Sequence, residues 1–155
     1  MVVATVNVAG IDFSTHSVDL VKLPLAGPAD PEHVYVAVRD SSSLEAARNW
    51  RDYWPLASFG DWFDDVAVAY IERPYGVGES IHKLMRMQGA ILAQLPTGLV
   101  VDELAPWEWR KLNGLPGNAS KHHVALYVDQ DSWTQDRCDA YCIALAGRLL
   151  CERAA

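Results

Sequence analysis

The sequence is short of cysteine, short of positive charge and without long apolar runs, and each shortage excludes a class of protein. Its three cysteines, Cys138, Cys142 and Cys151, are odd in number and crowd into one stretch near the C-terminus. That is no disulfide framework, and it suits a reducing cytosol. No run of eighteen apolar residues occurs, so no membrane partner and no spanning helix are expected. The opening Met1-Val2-Val3-Ala4-Thr5-Val6 has neither a basic start nor a cleavage site, so no secretion signal is expected. Repeats and low-complexity segments are missing as well. With 155 residues, 50% hydrophobic and 21% charged, the expectation is one globular domain over residues 1–155.

Thirteen bases face twenty acids, a formal net charge of −7, which taken whole argues against a nucleic-acid partner. The distribution reads differently. Residues 1–72 hold eleven acids and four bases and carry the whole excess, while residues 73–155 hold nine of each. Within 73–121 six bases (Arg73, Lys83, Arg86, Arg110, Lys111 and Lys121) outnumber four acids. A locally basic face on an acidic chain is compatible with this pattern.

Hydrophobic periodicity outlines the elements. Val2 to Ile11 is rich in β-branched residues and reads as a buried strand running into Asp12. Ser17 to Leu23 alternates polar and apolar, as a half-exposed strand does, and His33 to Arg39 reads as a third strand of an antiparallel meander. Ser41-Ser42-Ser43 offers caps for a helix to about Trp54, before Pro55. Asp65 to Glu72 (DVAVAYIE) is a short apolar strand, and Pro74 to Gly78 a loop. Glu79 to Leu95 carries a helical stripe of Ile81, Leu84, Met85, Gly89, Leu92 and Leu95, with Gly89 allowing a close helix–sheet contact. Leu99 to Asp102 is a fifth strand, followed by short helices over Ala105–Leu112 and Asn118–Val128. Ser132 and Gln135 form a capping box for the last helix. Three antiparallel strands followed by alternating helix and strand describe an α/β fold with a mixed sheet flanked by helices.

Four carboxylates stand out on this frame. Asp12 and Glu72 end strands, on the side of the sheet where α/β proteins place ligands. Asp136 and Asp139, three apart at the start of the last helix, share one face. Converging carboxylates repel one another, and divalent cations remove that cost. Oxygen ligands of this kind suit Mg²⁺ or Mn²⁺ rather than Zn²⁺, and a pair of such ions can cleave a phosphodiester. Read singly, each acid also has a plain role as a turn, cap or dipole partner. Lys121, in the first turn of its helix, opposes the helix dipole by roughly 0.3–1 kcal/mol, understandable if its ammonium faces a phosphate. Cys138 and Cys142 share a helix face and read as core residues rather than a zinc site. Of the adjacent His122 and His123 at most one can reach a phosphate, and Trp107 and Trp109 read as anchors of a short helix.

The set Val8-Ala9-Gly10-Ile11-Asp12, Tyr70-Ile71-Glu72-Arg73-Pro74 and Asp136-Arg137-Cys138-Asp139-Ala140 resembles the RuvC-like Holliday-junction resolvases of the RNase H-like superfamily, over about Val6 to Leu150. The resemblance implies an RNase H-like, RuvC-type five-stranded mixed sheet whose first three strands are antiparallel. It implies that Asp12, Glu72, Asp136 and Asp139 hold two Mg²⁺ per active site, with Mn²⁺ substituting, and cut branched DNA such as four-way junctions. The segment from Gly114 to Lys121 looks like the family's basic loop and helix start, which makes Lys121 the match to a positively charged catalytic position and Arg110 a second basic one. Tyr75, three residues after Glu72, fits the family's junction-centre aromatic; Arg73 and Lys111 are read with these as DNA contacts. The resemblance also implies a homodimer. Phe13-Ser14 departs from the family's usual small turn residues, and the chain is shorter and more acidic than cellular members. Those departures suit a divergent, phage-encoded member working in a bacterial cytosol.

Two other readings stay open at this point. One is a non-catalytic branched-DNA-binding or assembly protein that keeps the fold. The other starts from Gly10 to Ser17, which also looks like the phosphate loop of actin-like kinases and ATPases; those need two such domains, for which 155 residues are too few.

Overall fold

The computed structural model describes residues 4–37 and 61–155. The helix expected over Ser41–Trp54 and the end of the third expected strand, Val38 and Arg39, lie outside the described residues. Five strands form one sheet: β1 (Asn7–Phe13), β2 (Ser17–Pro24), β3 (Glu32–Ala37), β4 (Val66–Glu72) and β5 (Val100–Leu104), in the order β3-β2-β1-β4-β5. β2 is antiparallel to β1 and β3, while β1, β4 and β5 run parallel. Among the described residues there are four α-helices: α1 (Glu79–Gln94), α2 (Pro106–Leu112), α3 (Lys121–Val128) and α4 (Gln135–Ala154).

The two-residue period of a strand divides the core into two layers. Val8 of β1, Val21 and Leu23 of β2 and Tyr70 of β4 pack with Trp109, Val124 and the small residues of α4. Ala9, Ile11, Val18, Leu20 and Ile71 pack on the other face with Phe63 and with Ile91 of α1. Gly10 follows the Val8 parity, and α4 lies directly on its backbone. A Cβ at Gly10 would collide with the Ala140 carbonyl and come 2.5 Å from Ala144 N. The mirror arrangement holds at Gly147, where a Cβ would enter the Tyr70 ring. Two glycines and the alanines between them thus set how closely α4 approaches β1 and β4.

Three local expectations are corrected. β2 is not half-exposed: Asp19 and Lys22 are 1% and 6% exposed, because β2 lies inside the sheet and is covered on both faces. Each buried charge is paired, as burial requires. The Asp19 carboxylate meets His33 Nε2 at 2.6 Å, and Lys22 Nζ donates to the Trp62 carbonyl at 2.8 Å and to Asp65 at 2.9 Å. Among the described residues Gly89 has no atom within 4 Å of where a Cβ would stand, so it makes no close helix–sheet contact; that role belongs to Gly10 and Gly147. The α1 stripe accordingly splits, with Ala90 and Ile91 buried while Met85 and Leu92 stay exposed. The cap of α4 is Thr134 rather than Ser132, its side chain accepting from Arg137 N at 3.2 Å.

Candidate functional site

β1 and β4 are parallel neighbours, with Ile11 opposite Ile71, so their C-terminal ends fall side by side. Strand parity then turns Asp12 and Glu72 to the face that carries α4. The close contact at Gly10 holds the first turns of α4 above Asp12, and Asp136 and Asp139 point down from there. Oxygens of Asp12, Asp136 and Asp139 lie within 4.8 Å of one another. Among the described residues this acidic set does not include Glu72. Glu72 stands beside it: its Oε2 accepts from Trp109 Nε1 at 2.8 Å, and its charge acts on Asp12.

The charges show the strain of this arrangement. Burial lifts the Asp12 carboxyl well above the usual carboxylate range, and the charges of Glu72, Asp139 and Asp136 raise it further. Burial also raises Asp139 to about 6, although Lys121 works against it. Glu72 is raised by burial, with its Trp109 hydrogen bond opposing and Asp139 adding to the shift. Desolvation and like charge therefore act together on these carboxyls.

Lys121 is the local counter-charge. Its Nζ donates to Asp136 Oδ1 at 2.7 Å and lies 3.4 Å from Asp139 Oδ2. Burial disfavours its ammonium, but the Asp136 hydrogen bond and the Asp139 and Asp12 charges outweigh it and raise its pKa. The cost of a cation at a helix N-terminus is thus offset by carboxylates, with no phosphate needed. Asp139 Oδ1 is buried and has no hydrogen-bond partner among the described residues. An orphaned carboxylate oxygen among oxygen-only ligands fits a hard divalent cation, and a site without His or Cys does not favour zinc.

The residues expected to meet DNA divide into three groups. Arg73, Tyr75 and Arg110 line one open cleft of about 450 Å³, and Glu72 is in its wall. Arg73 also pairs with Glu103 at 3.4 Å, and Arg110 lies 5.0 Å above the Trp109 ring while donating to the Gly117 carbonyl at 3.2 Å. Lys111 is exposed on α2 outside this cleft, and Lys121 is on the acids. His123 belongs to the cap of α3, its Nδ1 accepting from Ser120 N at 3.3 Å. Cys138 and Cys142 are core residues, and burial pushes both thiols up.

Two neighbours of the acids were not read from the sequence. Trp109 anchors α2 as expected, but it also holds Glu72; a buried indole N–H needs an acceptor, and that was the available signal. Asp19, directly opposite Asp12 in the β1–β2 ladder, puts a fifth carboxylate on the same face, held by His33. Its place in a polar–apolar alternation concealed it.

No protein-family model matches the chain, and no curated protein does. Solved structures do. Thermus thermophilus RuvC in complex with Holliday junction substrate superposes with a TM-score of 0.73 at 18% identity, over 95% of this chain and 96% of that one. A second T. thermophilus RuvC structure gives 0.65 at 18% identity, with 96% of each chain covered. The yeast mitochondrial Holliday junction resolvase Ydc2 gives 0.60 at 12% identity, over 99% of this chain and 84% of that one. The mixed five-stranded sheet, with its first strands antiparallel, is the RuvC-type RNase H-like fold.

Proposed function

We propose that the chain is a divalent-metal-dependent endonuclease that hydrolyses phosphodiester bonds in branched DNA, four-way junctions above all. The observation that carries this reading is the set of Asp12, Asp136 and Asp139 oxygens within 4.8 Å, with one buried oxygen lacking a partner, at the strand ends of this fold. Likeness to a resolvase structure solved on its junction supports the substrate class.

Asp12, Asp136 and Asp139 would hold Mg²⁺ or Mn²⁺, and the Glu72 oxygen not held by Trp109 would complete a pair of sites. Such ions supply Lewis-acid stabilisation of charge on phosphate oxygens and activate water for attack. The chain's own groups do the rest. Lys121, now on Asp136 and Asp139, would be placed to meet a phosphate brought to the same acids. Arg110 and Arg73 flank Glu72 and would fix the neighbouring backbone phosphates, with Lys111 contributing at longer range. Tyr75, exposed on the loop after β4, would meet bases at the branch point. A homodimer, using the exposed α1 residues Met85 and Leu92, would present two equivalent sites to two equivalent strands. Three free thiols fit a reducing cytosol.

The test is cleavage of labelled four-way junctions, flaps and linear duplex, with and without Mg²⁺, by wild-type protein and Asp12→Asn. Metal-dependent cutting of branched substrates that Asp12→Asn abolishes, with junction binding kept, is the expected result. Binding without cutting by the wild type would instead make the chain a non-catalytic junction-binding protein.

A further inference from the structure

The acids of the site do not offer their oxygens equally. Asp12 and Asp139 are 6% and 4% exposed, whereas the side chains of Asp136 and Lys121 are 41% and 51% exposed. Asp139 serves both depths. Its Oδ2 lies 3.4 Å from Lys121 Nζ, while its buried Oδ1 has no hydrogen-bond partner among the described residues. Asp136 Oδ1 accepts from the same ammonium at 2.7 Å. The oxygens therefore sort into an inner group, Asp12 and Asp139 Oδ1, and an outer group, Asp136 Oδ1 and Asp139 Oδ2, which already holds a cation. Lys121 is the first residue of α3, and the Ser120 cap, accepting from His123 N at 3.2 Å, fixes where that helix starts. The ammonium is thereby tethered beside the outer oxygens.

A tethered charge competes for its partners at a local concentration that dilution does not lower. A divalent ion seated on the same two oxygens would also meet a like charge at close range. Asp139 Oδ1 faces no such competitor among the described residues. A backbone phosphate changes the balance, since it offers the ammonium other oxygens and brings negative charge for an outer ion to neutralise. We propose that Lys121 fills the outer of two cation positions: the DNA-free protein takes up one divalent ion, on the inner oxygens, and the second enters only with a phosphate that draws the ammonium away. The inference rests on the nuclease reading above and adds an order of assembly to it. Linkage makes the effect reciprocal, so DNA raises affinity for the second ion as that ion raises affinity for DNA.

The test counts Mn²⁺ bound per chain by electron paramagnetic resonance, with affinities from calorimetry, on DNA-free protein. Wild type and the charge-keeping Lys121→Arg should hold one ion. Lys121→Met should hold two, the second at least roughly tenfold tighter than any second ion on wild type. Wild type should gain its second ion on a four-way junction whose crossover phosphates carry a bridging methylene, which keeps the charge and resists hydrolysis. Acylation of the Lys121 amine by acetic anhydride, read by mass spectrometry on DNA-free wild type, should stay low through the first equivalent of Mn²⁺ and rise only at excess. That reading needs no variant, so it decides the matter even if Lys121→Met does not fold. Two ions of equal affinity on DNA-free wild type, one ion on folded Lys121→Met, or an amine freed by the first equivalent each overturn the proposal. Each leaves the nuclease reading to its own cutting test, whereas a protein that binds no Mn²⁺, with or without DNA, removes both.

Discussion

Trp109 and Glu72 are joined by one hydrogen bond, in which the indole Nε1, on a ring with no solvent exposure, donates to Oε2 over 2.8 Å. The bond holds one carboxylate oxygen and leaves the other available to a ligand. Orienting groups of this kind typically change metal affinity or activity by about 10–100-fold. Trp109→Phe keeps the ring in the core but removes the donor. It should weaken Mn²⁺ binding measured by calorimetry, and slow single-turnover cleavage, by a factor in that range. Wild-type metal affinity in Trp109→Phe would reduce Trp109 to a packing residue.

The raised carboxyls predict an acid-stabilised metal-free protein. Folded values above the unfolded ones mean that protonation favours the fold. The Asp139 contribution is complete below the unfolded carboxylate pKa of about 4 and is lost as pH rises through about 6. Lys121, shifted upward, contributes equally across that window. The melting temperature of Asp139→Asn minus that of wild type, both metal-free, should therefore grow between pH 4 and pH 7. Saturating Mg²⁺ should shrink the difference, and a flat difference in chelator contradicts the assignment.

Lys121 and Lys111 should separate chemistry from binding. Lys121→Ala, at saturating protein, should cut more slowly by roughly a hundredfold, since one charge-stabilising donor is commonly worth that much. Its junction affinity should change little. Lys111→Ala should show the converse, with weaker binding, a shallower salt dependence and normal cutting once bound. Normal single-turnover cutting by Lys121→Ala leaves this lysine as a counter-ion for the acids and nothing more.

Assembly is checked by sedimentation. The exposed Met85 and Leu92 on α1 predict a dimer at micromolar concentration, and Met85→Glu with Leu92→Glu should give monomers that fold normally. A wild-type monomer, with and without DNA, counts against the proposed two-fold arrangement.

What was legible in the sequence was local. Asp12 and Glu72 could be placed because each ends an apolar run, and Asp136 and Asp139 because a spacing of three fixes one helix face. The Trp109–Glu72 bond spans 37 positions and depends on α2 folding across the end of β4, which no local pattern encodes. Asp19 and Lys22 occupy positions that read as solvent-facing, and only the covering layers on both faces of β2 reverse that. On α1 the apolar residues span two adjacent faces, so periodicity supplied a stripe but not its phase. Ser132 and Thr134 are both good caps, and the choice between them was settled by the turn that precedes α4.

The close seat of α4 on Gly10 separates two kinds of inheritance in this chain. Gly10, Ala140, Ala144 and Gly147 answer to steric demands that exist whether or not anything is cut. On the nuclease reading Asp12, Asp136 and Asp139 answer to a reaction instead, and the two whose carboxyls burial raises, Asp12 and Asp139, make folding costlier without a cation. A descendant relieved of the reaction would be free to shed the acids, gaining stability as it did so, while substitutions at the small residues stayed forbidden. Among relatives of this chain, small residues kept without the acids would mark a lineage that has exchanged cutting for holding.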